Sequence, residues 1–435
     1  MAQTPKKRIV VVGGGAAGLG LVRKLAKNDR YEVILVDRNR THVWKPLLHE
    51  VAAGALDPNQ DEVGYGGHAV RWGYRFFQGA LARIDRDRQV IVTAPLVDED
   101  GEVIFEEHEI AYDILVLAIG GVSDDFGIPG VRDNALFLEH RAQADRFRQK
   151  LLNACLRVNA RREKGEVDAT LPICIVGGGA TGVELSAELV NSARALSSYG
   201  LEGFDPDAFR ITLIEAGPRL LPALDEKVVG KVTQELRDIG VDVRVNTMVT
   251  QVDKDRVHMK DGTDLPATLI LWAAGVRGES GVPGYSDLEL SRLDRVVVRP
   301  TLQSVTDDRI FAIGDCCHCV LPGQERPVAP RAQAAQQMAD HLLVAIDKLD
   351  KGQTLPDFEY KDRGSLVSLS HFATVGSLMG NLMSGKLSIE GRVARLAYIS
   401  LYRIHILTVH GWLRGMAQLI AGRINRVVRP RLKLH

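Results

Sequence analysis

Two copies of one glycine pattern, about 164 positions apart, constrain this 435-residue chain more than any other feature. The first runs Ile9-Val10-Val11-Val12 into Gly13-Gly14-Gly15-Ala16-Ala17-Gly18, and the second runs Ile173-Cys174-Ile175-Val176 into Gly177-Gly178-Gly179-Ala180-Thr181-Gly182. Each is a short β-branched run, then G-x-G-x-x-G, then a helix-like stretch. One such pattern is weak, and its bland alternative is a glycine-rich turn before a helix. Two in one chain, both opened by strand-like runs, point to two nucleotide sites.

The glycines have separate mechanical reasons. Gly13 and Gly177 allow the tight turn out of the strand. Gly15 and Gly179 let backbone approach a pyrophosphate, and Gly18 and Gly182 let helix pack close on sheet. Phosphates then sit on a helix N-terminus, where free N–H groups and the helix dipole favour anions. Ala16, Ala17, Ala180 and Thr181 complete the two loops. An acid ending the second strand should hold a ribose hydroxyl. Asp37 lies 19 residues after Gly18, and Glu215 lies 33 residues after Gly182. The longer gap is attributed to an insertion around Ser197–Phe209.

The repeat extends beyond the glycines. The run from Tyr112 to Gly121 reads as a buried strand ending in small residues, and Leu269-Ile270-Leu271-Trp272-Ala273-Ala274-Gly275 echoes it. Small residues at a strand end leave room for a cofactor. Arg309–Ile313 reads as a strand ending in Gly314-Asp315, whose carboxylate can accept from a ribityl hydroxyl. A helix is expected from about Pro330, carrying Gln333 and Gln337. Residues from about 142 to 169 read as helix and linker.

Composition excludes several classes. Lys+Arg and Asp+Glu both number 55, so no overall field attracts nucleic acid. No apolar run approaches the roughly 20 residues needed to span a bilayer. The sequence shows no signal peptide, and five cysteines suit a reducing compartment. Cys316-Cys317-His318-Cys319 is dense, yet no second ligand pair follows at zinc-finger spacing, so no metal is expected. The C-terminus differs in kind. After Glu390 there are nine basic residues and no acid. On a helical projection Arg392, Arg395, Arg403, His410 and Arg414 form one stripe. Leu401, Ile404, Val409, Trp412, Met416, Leu419 and Ile420 cover most of the rest, although Gly411 and Gly415 interrupt the pattern. Such a helix suits an anionic lipid surface; the alternative is packing on the protein's own core.

With the twin motifs, Trp44-Lys45-Pro46-Leu47-Leu48-His49-Glu50, Gly314-Asp315 and Ala332-Gln333-x-Ala335-x-Gln337, the chain resembles the type II, non-proton-pumping NADH:quinone oxidoreductases. Its C-terminus is similar to the proteobacterial branch. The resemblance implies an α/β fold with two Rossmann-like dinucleotide-binding domains and a C-terminal amphipathic membrane-association region. The expected division is a discontinuous FAD-binding domain over 1–125 and 295–345, an NADH-binding domain over 126–294, and the membrane region over 346–435. FAD would lie on the first motif with Asp37, Lys45, Ala118, Gly120, Gly314 and Asp315. NADH would lie on the second with Glu215 and Gly275. Gln333, Gln337 and, by a looser alignment, Lys386 would meet a quinone, ubiquinone being favoured. Glu184 matches a family acid between the nicotinamide and quinone sides; its bland alternative is a capping or salt-bridge carboxylate.

The implied activity is hydride transfer from NADH to FAD, then two electrons to a membrane quinone in a respiratory chain, without proton pumping. The implied location is peripheral, on the cytoplasmic face of the inner membrane, and a homodimer is left open. A sulfide:quinone oxidoreductase would need redox cysteines on the quinone side of the flavin. A membrane-tethered NADH-binding regulator is the other alternative.

Overall fold

The computed structural model describes residues 5–56, 62–98, 100–196, 206–279, 287–369, 373–380, 385–390, 403, 406–407 and 409–428. The elements that position the candidate sites run in chain order. They begin with β1 (Lys7–Val12), α1 (Gly18–Leu25), β2 (Tyr31–Asp37), α2 (Leu48–Ala52), α3 (Tyr65–Trp72), β3 (Arg75–Gln78) and β4 (Ile114–Leu117). Next come α4 (Arg141–Glu163), β5 (Leu171–Val176), α5 (Ala180–Leu196), β6 (Phe209–Ile214), β7 (Asp242–Arg244) and β8 (Leu269–Trp272). Last are β9 (Val296–Val298), β10 (Ile310–Ala312), β11 (Cys317–Cys319), α6 (Ala332–Asp350), β12 (Gly364–Leu369), β13 (Ala373–Gly380), β14 (Gly385–Glu390) and α7 (Trp412–Val428).

The chain divides into two compact units. The first takes residues 1–44, 62–122 and 276–362; the second takes 45–61, 123–275 and 363–435. Segment 276–294 therefore groups with the first unit. It is held there by an antiparallel bridge, in which Val122 and Arg277 exchange two backbone hydrogen bonds of 2.9 Å. Arg295, itself buried, donates to Val276 O at 2.7 Å.

The first unit is built on a five-stranded sheet of order β10-β4-β1-β2-β3, and the ladders β1·β4, β1·β2, β4·β10 and β2·β3 are all parallel. Ile9, Val10, Val11, Leu115, Val116 and Leu117 are fully buried. Strands covered on both faces read as unbroken apolar runs rather than alternating ones, which is why β1 and β4 show no polar period. The second unit repeats the plan with a parallel sheet of order β7-β6-β5-β8. Its core gathers Cys174, Val176, Ile214, Val257 and Trp272. The Trp272 indole N–H donates to Asp124 O at 2.7 Å, so this large ring is buried with its one polar atom satisfied. Strands β12, β13 and β14 form an antiparallel sheet in the second unit.

Helix α2 is only five residues long, too short to be stable by itself. It is fixed to α5 at two points. The Ser192 hydroxyl donates to Ala53 O at 2.8 Å, and His49 Nδ1 lies 3.7 Å from Glu184 Oε2. Glu184, Glu188 and Ser192 recur at helical spacing and are all buried, so α5 presents a polar stripe where an amphipathic pattern predicts none. Burial pushes the His49 imidazole down to about 4, against a partly compensating hydrogen bond with the Pro46 backbone. His49 is therefore neutral at pH 7, and its contact with Glu184 is not an ion pair.

The C-terminal region departs from one continuous stripe. Gly411 adopts φ 78° and ends the preceding turn, and α7 begins at Trp412. Gly415 is packed on Leu407, where an added Cβ would come within 2.8 Å of Cδ2. Trp412, Leu413 and Ile420 are 70%, 77% and 57% exposed, with Arg414 exposed beside them. Arg392, Arg395, Leu401 and Ile404 lie outside the described residues.

Two outcomes are expected. Trp272→Phe should lower stability by about 1–3 kcal/mol, through a lost hydrogen bond and a cavity, read as a fall in the thermal unfolding midpoint. For His49, the folded pKa of about 4 lies below the ordinary 6.5, so folding excludes a proton the unfolded chain accepts. Its contribution is complete above pH 6.5 and is lost as pH falls towards 4, by about 3 kcal/mol at most. Urea unfolding across that window should show a steeper acid loss for the wild type than for His49→Gln.

Candidate dinucleotide sites

Both glycine loops stand at the C-terminal edge of their parallel sheets, where such sheets place ligands. The two loops share several bonds. Gly13 N donates to Val36 O and Gly177 N donates to Ile214 O, each at 2.8 Å. Both glycines have positive φ, 101° and 117°. A Cβ on Gly13 would stand 2.4 Å from Ala118 O, and one on Gly177 would stand 2.7 Å from Ala273 C. The small-residue strand ends seen in the sequence are thus pressed directly against the first glycine of each loop.

The acids close the loops. Asp37 Oδ2 accepts from Gly14 N, and Glu215 Oε2 accepts from Gly178 N, both at 2.7 Å. The other oxygen of each takes a backbone N–H two residues on: Asn39 N to Asp37 Oδ1 at 2.8 Å, and Gly217 N to Glu215 Oε1 at 2.7 Å. Asp37 Oδ1 also accepts from Asn39 Nδ2 at 3.1 Å; a carboxylate in this place is an acceptor, which is what a ribose hydroxyl needs. A Cβ on Gly15 or on Gly179 would meet nothing within 4 Å, so the outer side of each loop has room for a pyrophosphate. Ala16 and Ala17 lead into α1, and Ala180 and Thr181 open α5. The residues present therefore fit a dinucleotide in each unit.

Around the first loop, Gly314 N donates to Met338 Sδ at 3.3 Å, which sets the Gly314-Asp315 turn on α6. A Cβ on Gly121 would stand 3.2 Å from Asp315 Cβ, so the ends of β4 and β10 meet there. Ala118, Gly120, Gly314 and Asp315 are brought together as the sequence suggested. Gln333 and Gln337 lie on the first turns of α6 in the same unit. Gln333 Nε2 donates to Asp362 Oδ1 at 3.1 Å. Gln337 Nε2 donates to Lys361 O at 2.9 Å and its Oε1 accepts from Lys361 N at 3.0 Å. Its amide pairs with the backbone as a strand neighbour would.

The second unit carries Glu184, Glu215, Gly275 and, on a turn over Lys45–Leu47, Lys45. A Cβ on Gly275 would meet the Phe126 ring at 2.7 Å, so this position closes the strand end of β8 against 124–126. Lys386 lies on β14, its backbone paired with Met379; its side chain lies outside the described residues.

All five cysteines are buried free thiols. Burial pushes Cys155, Cys174 and Cys316 up to about 12, and it pushes Cys317 well above the ordinary thiol value. The dense run 316–319 is core: β11 pairs with β9, and Cys317 and Cys319 are both buried. Among the described residues no group of His, Cys, Asp or Glu has metal-ligand geometry. Sequence reasoning missed Gly14 and Gly178 as acid-binding positions, although both copies carry glycine where the pattern allows any residue. It also missed Tyr65, which sits in no motif.

Residues 7–339 match the family model described as pyridine nucleotide-disulphide oxidoreductase. The chain is 42% identical to the type II NADH:quinone oxidoreductase of Haemophilus influenzae, over 99% of this chain and 100% of that protein. It is 33% identical to the Staphylococcus aureus protein of the same name, over 89% and 93%. The fold superposes on Plasmodium falciparum NDH2 solved in complex with NADH, with TM-score 0.82, 19% identity, and coverage of 98% and 100%. Twin nucleotide loops, an α/β fold and full-length relatedness agree: the chain belongs to the type II NADH:quinone oxidoreductase family.

Proposed function

We propose that the first unit holds FAD on Gly13–Gly18 and Asp37, and that the second holds NADH on Gly177–Gly182 and Glu215. The protein is an FAD-dependent NADH:quinone oxidoreductase. The observation that carries the assignment of two nucleotides is the duplicated acid-to-glycine bond, 2.7 Å in both loops. The flavin supplies the redox chemistry, taking a hydride from NADH and passing two electrons to a quinone. The chain's own residues bind, orient and manage protons.

Glu215 selects the donor. Two backbone N–H groups fix its carboxylate, so a 2′-phosphate would meet a held negative charge, which favours NADH over NADPH. Ala118, Gly120, Gly314 and Asp315 would line the flavin. Gln333 and Gln337 are the quinone candidates: Gln333 bonds the Asp362 side chain, which also pairs with Arg331, and Gln337 bonds the Lys361 backbone. A Gln333 amide can donate to a quinone carbonyl as charge develops there. Lys386 would stand by the same headgroup. Glu184, buried beside neutral His49, is suited to hold or release a proton during quinol formation.

The apolar face of α7, with Trp412, Leu413, Met416 and Ile420 exposed beside Arg414, suits an anionic lipid surface. No helix among the described residues is long and apolar enough to cross a membrane. A peripheral position on the cytoplasmic face, drawing ubiquinone from the bilayer, fits these features.

In stopped-flow experiments, Gln333→Ala should slow reoxidation of the reduced enzyme by quinone about tenfold and leave reduction by NADH nearly unchanged. Equal impairment of both half-reactions would count against Gln333. Removing residues from 393 onward should release the protein from anionic vesicles in a pelleting assay; full pelleting of the truncated form would rule out the C-terminal anchor.

A further inference from the structure

The two loops differ at one bond. In the second, the Gly178 carbonyl accepts from the backbone N–H of Leu221 at 2.8 Å. In the first, the equivalent Gly14 carbonyl accepts from the Tyr65 hydroxyl at 2.9 Å. Tyr65 opens α3, far from the loop in sequence, and no motif predicts it.

We propose that Tyr65 is a positioning residue for the first nucleotide, a side-chain lock that orients the Gly15 N–H toward the phosphates. The argument rests on the planarity of one peptide. The Gly14 carbonyl and the Gly15 N–H belong to the same planar unit and point in opposite directions. A donor that holds the carbonyl on the inner side therefore aims the N–H outward. The outer side at Gly15 is open for 4 Å, and the inner side is filled by Tyr65. The fit is close: a Cβ on Gly14 would stand 2.5 Å from the Tyr65 ring, so glycine is required there as well.

Tyr65 is itself held firmly. It is 2% exposed, and its ring packs on Phe76 of β3 with centroids 5.1 Å apart. Its hydroxyl also lies 3.5 Å from Asp37 Oδ2, but its single proton goes to the nearer Gly14 carbonyl. Burial and the Asp37 charge hold the phenol protonated, as a donor must be. In the second loop the lock is a backbone group on Leu221, a non-glycine residue at φ 46°, a conformation that L side chains adopt reluctantly. A rigid lock on one loop and a local, strained one on the other suit one nucleotide that stays and one that exchanges.

The inference rests on the reading that the first site holds FAD. The test uses purified Tyr65→Phe, which keeps the ring and removes only the donor. Three quantities are measured: flavin release after dilution by fluorescence, the NADH dissociation constant by titration, and the unfolding midpoint of flavin-free protein. Flavin should leave about five to ten times faster than from the wild type, with NADH affinity within about twofold and the flavin-free midpoint unchanged. Unchanged flavin release would overturn the proposal and leave the site order standing. Weakened NADH binding with normal flavin retention would overturn the site order itself, and the proposal with it. A lowered flavin-free midpoint with both ligands weakened would reduce Tyr65 to a general packing role, which also overturns the proposal.

Discussion

A carboxylate at the end of the second strand, bonded to the middle glycine of the loop after the first, is the interaction on which both sites depend. It joins neighbouring parallel strands across the loop and fixes the loop's outer surface. Asp37 and Glu215 make it at the same distance, 2.7 Å, although Glu is one methylene longer. The second bond is shared as well: each acid accepts the backbone N–H two residues on, from Asn39 and from Gly217. A charge-assisted bond of this kind is stronger than a neutral one.

Much of this was legible in the sequence, because the features involved are local and periodic. The β-branched runs, the glycine spacing and the strand-end alanines and glycines each obey a rule that acts over a few residues. Asp37 followed from a distance along the chain; Glu215 followed too, once the insertion near 197–209 was allowed for. What escaped was set by tertiary packing. Tyr65 meets Gly14 across 51 positions, and the Trp272 indole meets Asp124 across 148. Spacing alone disfavours a metal at the cysteine run 316–319; that the run is a buried strand is set by packing. The C-terminal stripe is divided at a left-handed Gly411, where the sequence already placed an interruption.

The polar groups buried in the second unit show how packing sets chemistry. His49 would be a cation under mild acid in water, but the contacts of α2 with α5 keep it neutral well below that range. Glu184, one face of α5 away from the glycine loop, shares that dry environment. Gln333 and Gln337, four residues apart on one helix, take different partners from the segment at 361–362. Spacing alone treats the two glutamines as equivalent; their partners do not.

The order in which the chain returns to its two sheets has a consequence for synthesis. The second sheet is contained between Leu171 and Trp272, whereas the first is completed only by β10 at 310–312, which pairs with β4 nearly 200 residues earlier. Emerging from the ribosome, the chain has every strand of the second sheet before it has the last strand of the first. The long loop closed by the β4–β10 pairing makes that final step the entropically costly one. Until it occurs, the β4 edge stands open, and the Gly314-Asp315 turn has no sheet to carry it. The later copy is thus the first to have all its strands available.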